Sequence, residues 1–196
     1  MLSLTSMLLM AGIAIGLIRG GRFSNLSSIK FRYPWLVFVG LAIQIAGELL
    51  AAFVNPAFRE GGRGLTTLAV SYAALIAFVV LNREQPGASL IALGLALNLL
   101  VILPNGGMPV SAHAAHIAGF DPSGYLGTAL KHRAMGPGTI FSWLGDVIPI
   151  PGLGKVVSVG DIVLGLGVGV LTQSIVRGTN PPREPHDAQG PAEGPR

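Results

Sequence analysis

The sequence predicts an all-α fold, namely a polytopic helical membrane bundle of about five transmembrane helices plus a re-entrant or interfacial helical loop. Two observations predict this class. Only 11% of the 196 residues are charged, whereas soluble domains average roughly 25%, so a soluble fold would lack the charges to cover its surface. The mean hydropathy is +0.63, and the apolar residues gather into runs of the length that a membrane-crossing helix needs.

The five predicted spans cover residues 2–18, 34–54, 65–81, 89–104 and 161–176. They form a single membrane domain, residues 1–177, with a structured loop at 105–160. The first run could instead be a signal peptide, but no positive charge precedes it, and Arg19 and Arg22 follow it. We therefore expect it to be a retained helix. Pro34 stands at the start of the second span, where its missing N–H is harmless.

Loop charges predict the orientation. Residues 19–33 contain four basic residues and no acid, so the positive-inside rule places this loop in the cytoplasm. Eight Lys and Arg residues then lie inside and five outside. This arrangement predicts a membrane protein with its N-terminus outside and its C-terminus in the cytoplasm. It also predicts that residues 178–196, rich in proline and glycine, form a disordered cytoplasmic tail.

Charge and cysteine content narrow the function classes. The net charge is +4, but the basic residues form no stripe with interleaved aromatics, so we expect no nucleic-acid partner. The chain has no cysteine, which excludes disulfides, thiol nucleophiles and Cys-ligated metals. No cofactor motif is present, and we expect no cofactor.

Residues 105–160 are too long for a simple connector and too apolar for a disordered one. Ser111 is placed to cap a short helix that Gly119 ends, and Ser123 to cap a second one. Residues 139–150 form an apolar run too short to span a bilayer. We expect this run, which contains Trp143, to lie at the interface or to re-enter the membrane.

Helix parity places several polar residues at the same end of the bundle, where they predict an outward-facing polar cleft. The binding candidates are Glu48, Asn98, Asn105 and Asp161. The catalytic candidates are His132, Asp146 and Asn105.

Each acid also has a structural interpretation. A carboxylate near the centre of a span costs roughly 2.5–3.5 kcal/mol on insertion scales, so Glu48 is expected to be protonated, paired or near water. Asp161 follows Ser158 in a capping-box pattern. Asp146 lies in an apolar run, where a charge needs a partner. The basic residues near it in the sequence are Lys131, His132, Arg133 and Lys155.

A metal site is weakly indicated. His113 and His116 are three residues apart and share a helix face, but no third ligand is in register. We predict no metal, and we expect both histidines to face solvent.

Five polar motifs recur in this order in one family: the glycine-flanked basic loop after the first span, Asn105-Gly-Gly-Met-Pro, Lys131-His132, Leu144-Gly-Asp-Val-Ile-Pro149 and Ser158-Val-Gly-Asp161. Over residues 1–177 the sequence resembles the bacterial membrane family named domain of unknown function 5317. The resemblance implies a bacterial plasma-membrane protein and singles out Asn105, His132, Asp146 and Asp161. It implies no reaction.

Three functions stay open at this point. The leading hypothesis is a non-catalytic binding or accessory protein whose cleft holds a lipid, a small molecule or a partner helix. The second is a membrane-embedded enzyme acting on a lipid-linked substrate, with His132 as acid or base, Asp146 as its orienter or as the nucleophile, and Asn105 as a polarising donor. The third is a small transporter or channel that uses Glu48 and Asn98.

The expected partners are membrane lipid and one close helix. Gly165 and Gly169 form a small-residue pattern that lets a partner helix approach. That helix can come from the same chain or from a second copy.

Overall fold

A computed structural model describes residues 4–27, 29–54, 62–121 and 131–179. Six α-helices and four short strands, with three short 3-10 or π-helical segments, follow one another in these ranges. The helices are α1 (Leu4–Ile18), α2 (Trp35–Leu49), α3 (Gly62–Leu81), α4 (Ala88–Asn105), α5 (Ala112–Ala118) and α6 (Val159–Arg177). The strands are β1 (Met108–Val110), β2 (His132–Ala134), β3 (Ile148–Ile150) and β4 (Lys155–Val157).

The prediction of a helical membrane bundle is confirmed. In the described part of the chain, four helices are long and apolar enough to cross a membrane: α2 with its π-helical extension to Val54, α3, α4 and α6. The first predicted span is the shorter apolar helix α1, which has 15 residues and is about 22 Å long. Residues 180–196 of the predicted disordered tail lie outside the described residues. The second loop helix, predicted to begin after Ser123 and to run through His132, lies mostly outside them too, but its predicted end is wrong, because His132 belongs to strand β2.

The helices pack in the order α2, α3, α4, α6, α1. Close contact between α1 and α6 depends on glycine, because a methyl group on Gly12 would overlap the carbonyl of Gly169. Leu8 of α1 lies beside Gly165 in the same way. The small-residue face of α6 therefore has a partner helix within this chain.

The segment between α4 and α6 (residues 106–158, hereafter the α4–α6 loop) is where the structure differs from an all-helical expectation. Helix α5 forms as predicted, with Ser111 accepting from the Ala114 N–H and Gly119 ending it. Residues 139–150 instead form turns, a 3-10 turn at Ser142–Leu144 and strand β3. Pro149 has no backbone N–H and therefore cannot donate a helical hydrogen bond in that stretch. β3 pairs with β4 in an antiparallel hairpin.

Candidate functional site

Strand β1 lies at the centre of the α4–α6 loop. It pairs in parallel with β2, with Met108 opposite His132. On its other side Val110 bridges to Asp146, whose N–H donates to the Pro109 carbonyl at 2.8 Å. The turn into β1 has positive φ at both glycines, 68° at Gly106 and 157° at Gly107, which L side chains rarely adopt. The Asn-Gly-Gly-Met-Pro motif thus folds α4 back into the strand that joins His132 to Asp146.

His132 and Asp146 form a buried pair. Their Nε2 and Oδ2 atoms lie 3.5 Å apart, and their side chains are 16% and 7% exposed. Burial raises the pKa of Asp146 from 3.8 to about 7; Asp161 adds to this shift and Lys131 opposes it. Burial lowers the pKa of His132 from 6.5 to about 3; Lys131 adds to this shift and Asp161 opposes it. The pair is therefore close to neutral in charge between about pH 3 and about pH 7.

Lys131 supplies the positive charge next to this pair. Burial disfavours its ammonium, but the electrostatic interactions with Tyr72, Asp161 and Asp146 outweigh that effect, so its pKa is raised. The ammonium also shares a side-chain hydrogen bond with Tyr72 of α3. The residue before β2 is thereby tied to the helix bundle, and Lys131 stays positively charged.

Asp161 belongs to a closed hydrogen-bond network. Its backbone N–H donates to the Ser158 hydroxyl at 3.0 Å, and the Ser158 N–H donates to its carboxylate at 3.3 Å, which completes the predicted capping box. The Asn98 amide donates to the same carboxylate at 2.8 Å and accepts from the Ser158 hydroxyl at 2.9 Å. Asn98 is 1% exposed. Both ends of its amide are used to fasten α6 to α4.

Asn105 performs a different task. Its amide nitrogen donates to the carbonyls of Val101 and Ile140, both at 2.8 Å, and its amide oxygen accepts from the Ile140 N–H at 2.9 Å. The side chain thus fixes the 136–140 segment to the last turn of α4. The structure does not join Asn105 to the His132–Asp146 pair through these bonds.

An open groove of about 310 Å³ lies beside Asn105. Its lining residues come from the end of α4, from β1 and β2, and from the segment that follows β2: Pro104, Asn105, Pro109, Arg133, Ala134, Gly136, Gly138 and Thr139. Arg133 is the charged residue of this lining, which contains no acid. Side chains alternate along a strand, so Arg133 and His132 lie on opposite faces of β2. The groove and the buried pair are therefore separate.

The structure brings the predicted residues together only in part. Asn98 meets Asp161, and His132 meets Asp146. Glu48 lies half-buried on α2, whose main neighbour is α3 rather than α4 or α6.

Two features of this region were not predicted from the sequence. One is the contact of Tyr72 with Lys131, although a tyrosine within an apolar span was an available signal. The groove could not be found in advance, because its lining comes from three separate stretches of the chain.

Comparison with known proteins gives a family. Residues 28–173 match the model of a family of unknown function, DUF5317. An uncharacterized protein of Thermotoga maritima is 35% identical over 127 residues, which cover 61% of this chain and 70% of that protein. No solved structure matches the chain. The chain belongs to the family of unknown function DUF5317.

Proposed function

We propose that this protein is a non-catalytic membrane binding protein whose groove at the end of α4 holds the headgroup of an anionic phospholipid. The charge of the groove supports this choice, because its lining contains Arg133 and no acid. The Arg133 guanidinium donates from Nη1 to the His132 carbonyl at 3.0 Å, and its further N–H groups match the oxygens of a phosphate. The observation that carries the proposal is this one cationic residue in a groove of about 310 Å³, within the size range of small-ligand sites.

The position of the groove supports a lipid over a soluble anion. Leu93, Leu100 and Leu103 form an exposed stripe along α4, and such a stripe on a spanning helix faces lipid. Pro104 continues this surface and lines the groove. A lipid in contact with α4 would thus reach the groove with its headgroup without leaving the bilayer.

Arg133 also has a structural role, which the experiment must distinguish from lipid binding. A cation near the C-terminus of α4 also stabilises that helix through its dipole. The test is mass spectrometry of lipids that co-purify after gentle extraction, compared between wild type, Arg133→Gln and the control Arg83→Gln, which changes an exposed arginine in the α3–α4 turn.

We expect wild type and Arg83→Gln to retain anionic phospholipid above its share of the membrane extract, and Arg133→Gln to lose that enrichment at unchanged melting temperature. An equal lipid profile in all three proteins contradicts the proposal. A lower melting temperature with normal lipid enrichment in Arg133→Gln assigns Arg133 to helix stability.

The proposed topology follows from the loop charges. The basic loop 19–33 is cytoplasmic and the groove opens at the outer face of the plasma membrane, with the N-terminus outside and the C-terminus inside. The positive-inside rule supports this arrangement.

A second candidate function is acid–base chemistry by the His132–Asp146 pair on a lipid-linked substrate. The observation in its favour is a neutral imidazole 3.5 Å from a carboxyl group whose pKa is about 7, since catalytic groups work best near the ambient pH. This hypothesis predicts that the Asp146→Asn protein folds and inserts but fails to restore function in cells lacking the native gene. Normal restoration by that variant would exclude it.

A further inference from the structure

Three large apolar side chains stand exposed on the turn that follows the groove. Ile140, Phe141 and Trp143 are 48%, 42% and 65% exposed. Single exposed apolar residues are ordinary on protein surfaces. Three within four consecutive residues form an apolar patch whose exposure to water is unfavourable. We therefore expect this turn to contact an apolar environment.

Hydrogen bonds at one end and packing at the other fix the position of this turn. Ile140 exchanges two hydrogen bonds with the Asn105 side chain, and Leu144 at the other end is buried in the core. Between them Phe141 adopts a left-handed backbone with φ of 54°, a conformation that is uncommon for a bulky residue. The surrounding contacts therefore maintain a backbone that places Phe141 and Trp143 on the outside.

We infer that residues 140–143 insert into the headgroup region of the bilayer beside the C-terminal end of α4, and that they do not re-enter the hydrocarbon core. Their position follows from Asn105, the last residue of α4, which is bonded to Ile140. The exposed stripe of α4 ends at the same level, so the patch continues a lipid-facing surface. Tryptophan favours this depth, because its ring is apolar while its N–H needs a polar partner.

Chain length argues against re-entry. Only three residues separate Ile140 from the buried Leu144, and an extended chain covers at most ~3.6 Å per residue. That reach is a fraction of a hydrocarbon core about 30 Å thick. The segment can therefore dip into the interface and return, but it cannot reach the middle of the membrane.

The depth of this turn does not depend on the proposed ligand, but it affects where the groove lies. Gly138 and Thr139 line the groove and directly precede the turn. An anchored turn would hold the groove at the level of lipid headgroups, whether or not a lipid binds there.

Tryptophan fluorescence tests the depth directly. The chain has two tryptophans, so Trp35→Phe leaves Trp143 as the sole one, and Trp143→Phe leaves Trp35 as the matched control. Each protein is reconstituted in phosphatidylcholine vesicles that contain lipid brominated either near the glycerol backbone or near the chain ends.

We expect Trp143 emission to be lost mainly with the shallow bromine. Equal emission with and without either bromine would show that the turn stands in water, and stronger loss with the deep bromine would show re-entry; both results overturn the inference. If Trp35→Phe does not fold, a spin label on Ser142→Cys in the wild-type background reports the same depth. We expect its ratio of oxygen contact to water-soluble relaxant contact to lie between the ratios for labels on Ser24→Cys in the basic loop and Leu100→Cys on α4, both exposed positions. A ratio equal to that of Ser24→Cys, in water, or of Leu100→Cys, in hydrocarbon, overturns the inference.

Discussion

His132 Nε2 lies 3.5 Å from Asp146 Oδ2, and the two residues hold one proton between them over a wide pH range. In the folded protein Asp146 is protonated below about pH 7 and His132 is neutral above about pH 3. In the unfolded chain Asp146 ionises near 3.8 and His132 is protonated below 6.5. Both states therefore carry one proton on the pair between these last two values, and the pair adds no pH slope to stability there.

Substituting one residue of the pair makes the stability depend on pH through the shifted pKa of the other residue. Burial is the largest cause of both pKa shifts, so each shift should survive substitution of the partner residue. In Asp146→Asn the unfolded state binds more protons on His132, and stability should fall as pH drops below 6.5. In His132→Gln the folded state binds more protons on Asp146, and stability should fall as pH rises from 3.8 toward 7. Each slope approaches ~1.4 kcal/mol per pH unit.

The measurement is the midpoint of thermal unfolding in detergent over this pH range. Glu84→Gln serves as the control, because Glu84 is exposed and lies 3.8 Å from Arg32 in a surface pair. We expect that control to follow wild type. Slopes of the same sign in Asp146→Asn and His132→Gln would show that burial of this pair does not set its titration.

The Asn98 amide is expected to matter for stability. Asn98→Ala removes the acceptor of the buried Ser158 hydroxyl and one donor to the Asp161 carboxylate. An unsatisfied buried polar group costs about 1–3 kcal/mol. Thermal unfolding should show this loss. Thr67→Ala is the matched control, since it removes only an exposed hydrogen bond to Arg63. Equal midpoints for the two variants would contradict the structural role of Asn98.

Glycine contact between α1 and α6 makes a second stability prediction. Gly12→Val places its side chain against the Gly169 carbonyl and should separate the two helices, lowering the unfolding midpoint by several degrees. Gly62→Ala, where an added methyl group meets open space, is the control. Proteolysis that releases α1 from Gly12→Val but not from Gly62→Ala would locate the effect. An unchanged midpoint in Gly12→Val would mean that α1 does not depend on this contact.

The proposed orientation is tested by labelling intact cells. The chain lacks cysteine, so Ala112→Cys in α5 and Ser24→Cys in the basic loop each introduce a single thiol at an exposed position. A membrane-impermeant maleimide should label Ala112→Cys in intact cells and Ser24→Cys only after lysis. The reverse pattern would invert the topology.

The helices were predictable because each one depends on a local signal. The predicted span 89–104 becomes Ala88–Asn105 and the span 161–176 becomes Val159–Arg177, since an apolar run and its capping residues are contiguous in the sequence. The Ser158–Asp161 capping box was readable for the same reason. Helix parity predicted that Asp161 lies at the same end of the bundle as the C-terminal end of α4, and Asn98, predicted near the middle of that span, donates to its carboxylate.

The α4–α6 loop could not be predicted in the same way. β1 and β2 have three residues each, too few for a period of two to stand out. Their parallel pairing joins Met108 to His132 across a long intervening stretch. The placement of Asn105 against Ile140 and the position of Arg133 in the groove both depend on that pairing. The residue types could therefore predict that this end of the bundle is polar, but not that it divides into the groove and the buried His132–Asp146 pair.

The most direct test of the central claim measures lipid binding to the groove. Delipidated protein is titrated with an anionic phospholipid or with phosphatidylcholine, and bound lipid is counted by native mass spectrometry for wild type, Arg133→Lys, Arg133→Gln and Arg83→Gln. Inorganic phosphate is added in a separate titration as competitor.

The account predicts tight binding of anionic lipid to wild type and Arg83→Gln, weaker binding to Arg133→Lys, which keeps the charge but lacks the paired N–H groups, and about a tenfold or greater loss in Arg133→Gln, since a charge-assisted hydrogen bond contributes ~1.5–3 kcal/mol. Phosphate should compete poorly. Equal binding by Arg133→Gln and Arg83→Gln, or full displacement by inorganic phosphate, would contradict the claim that this groove is an anionic-lipid site.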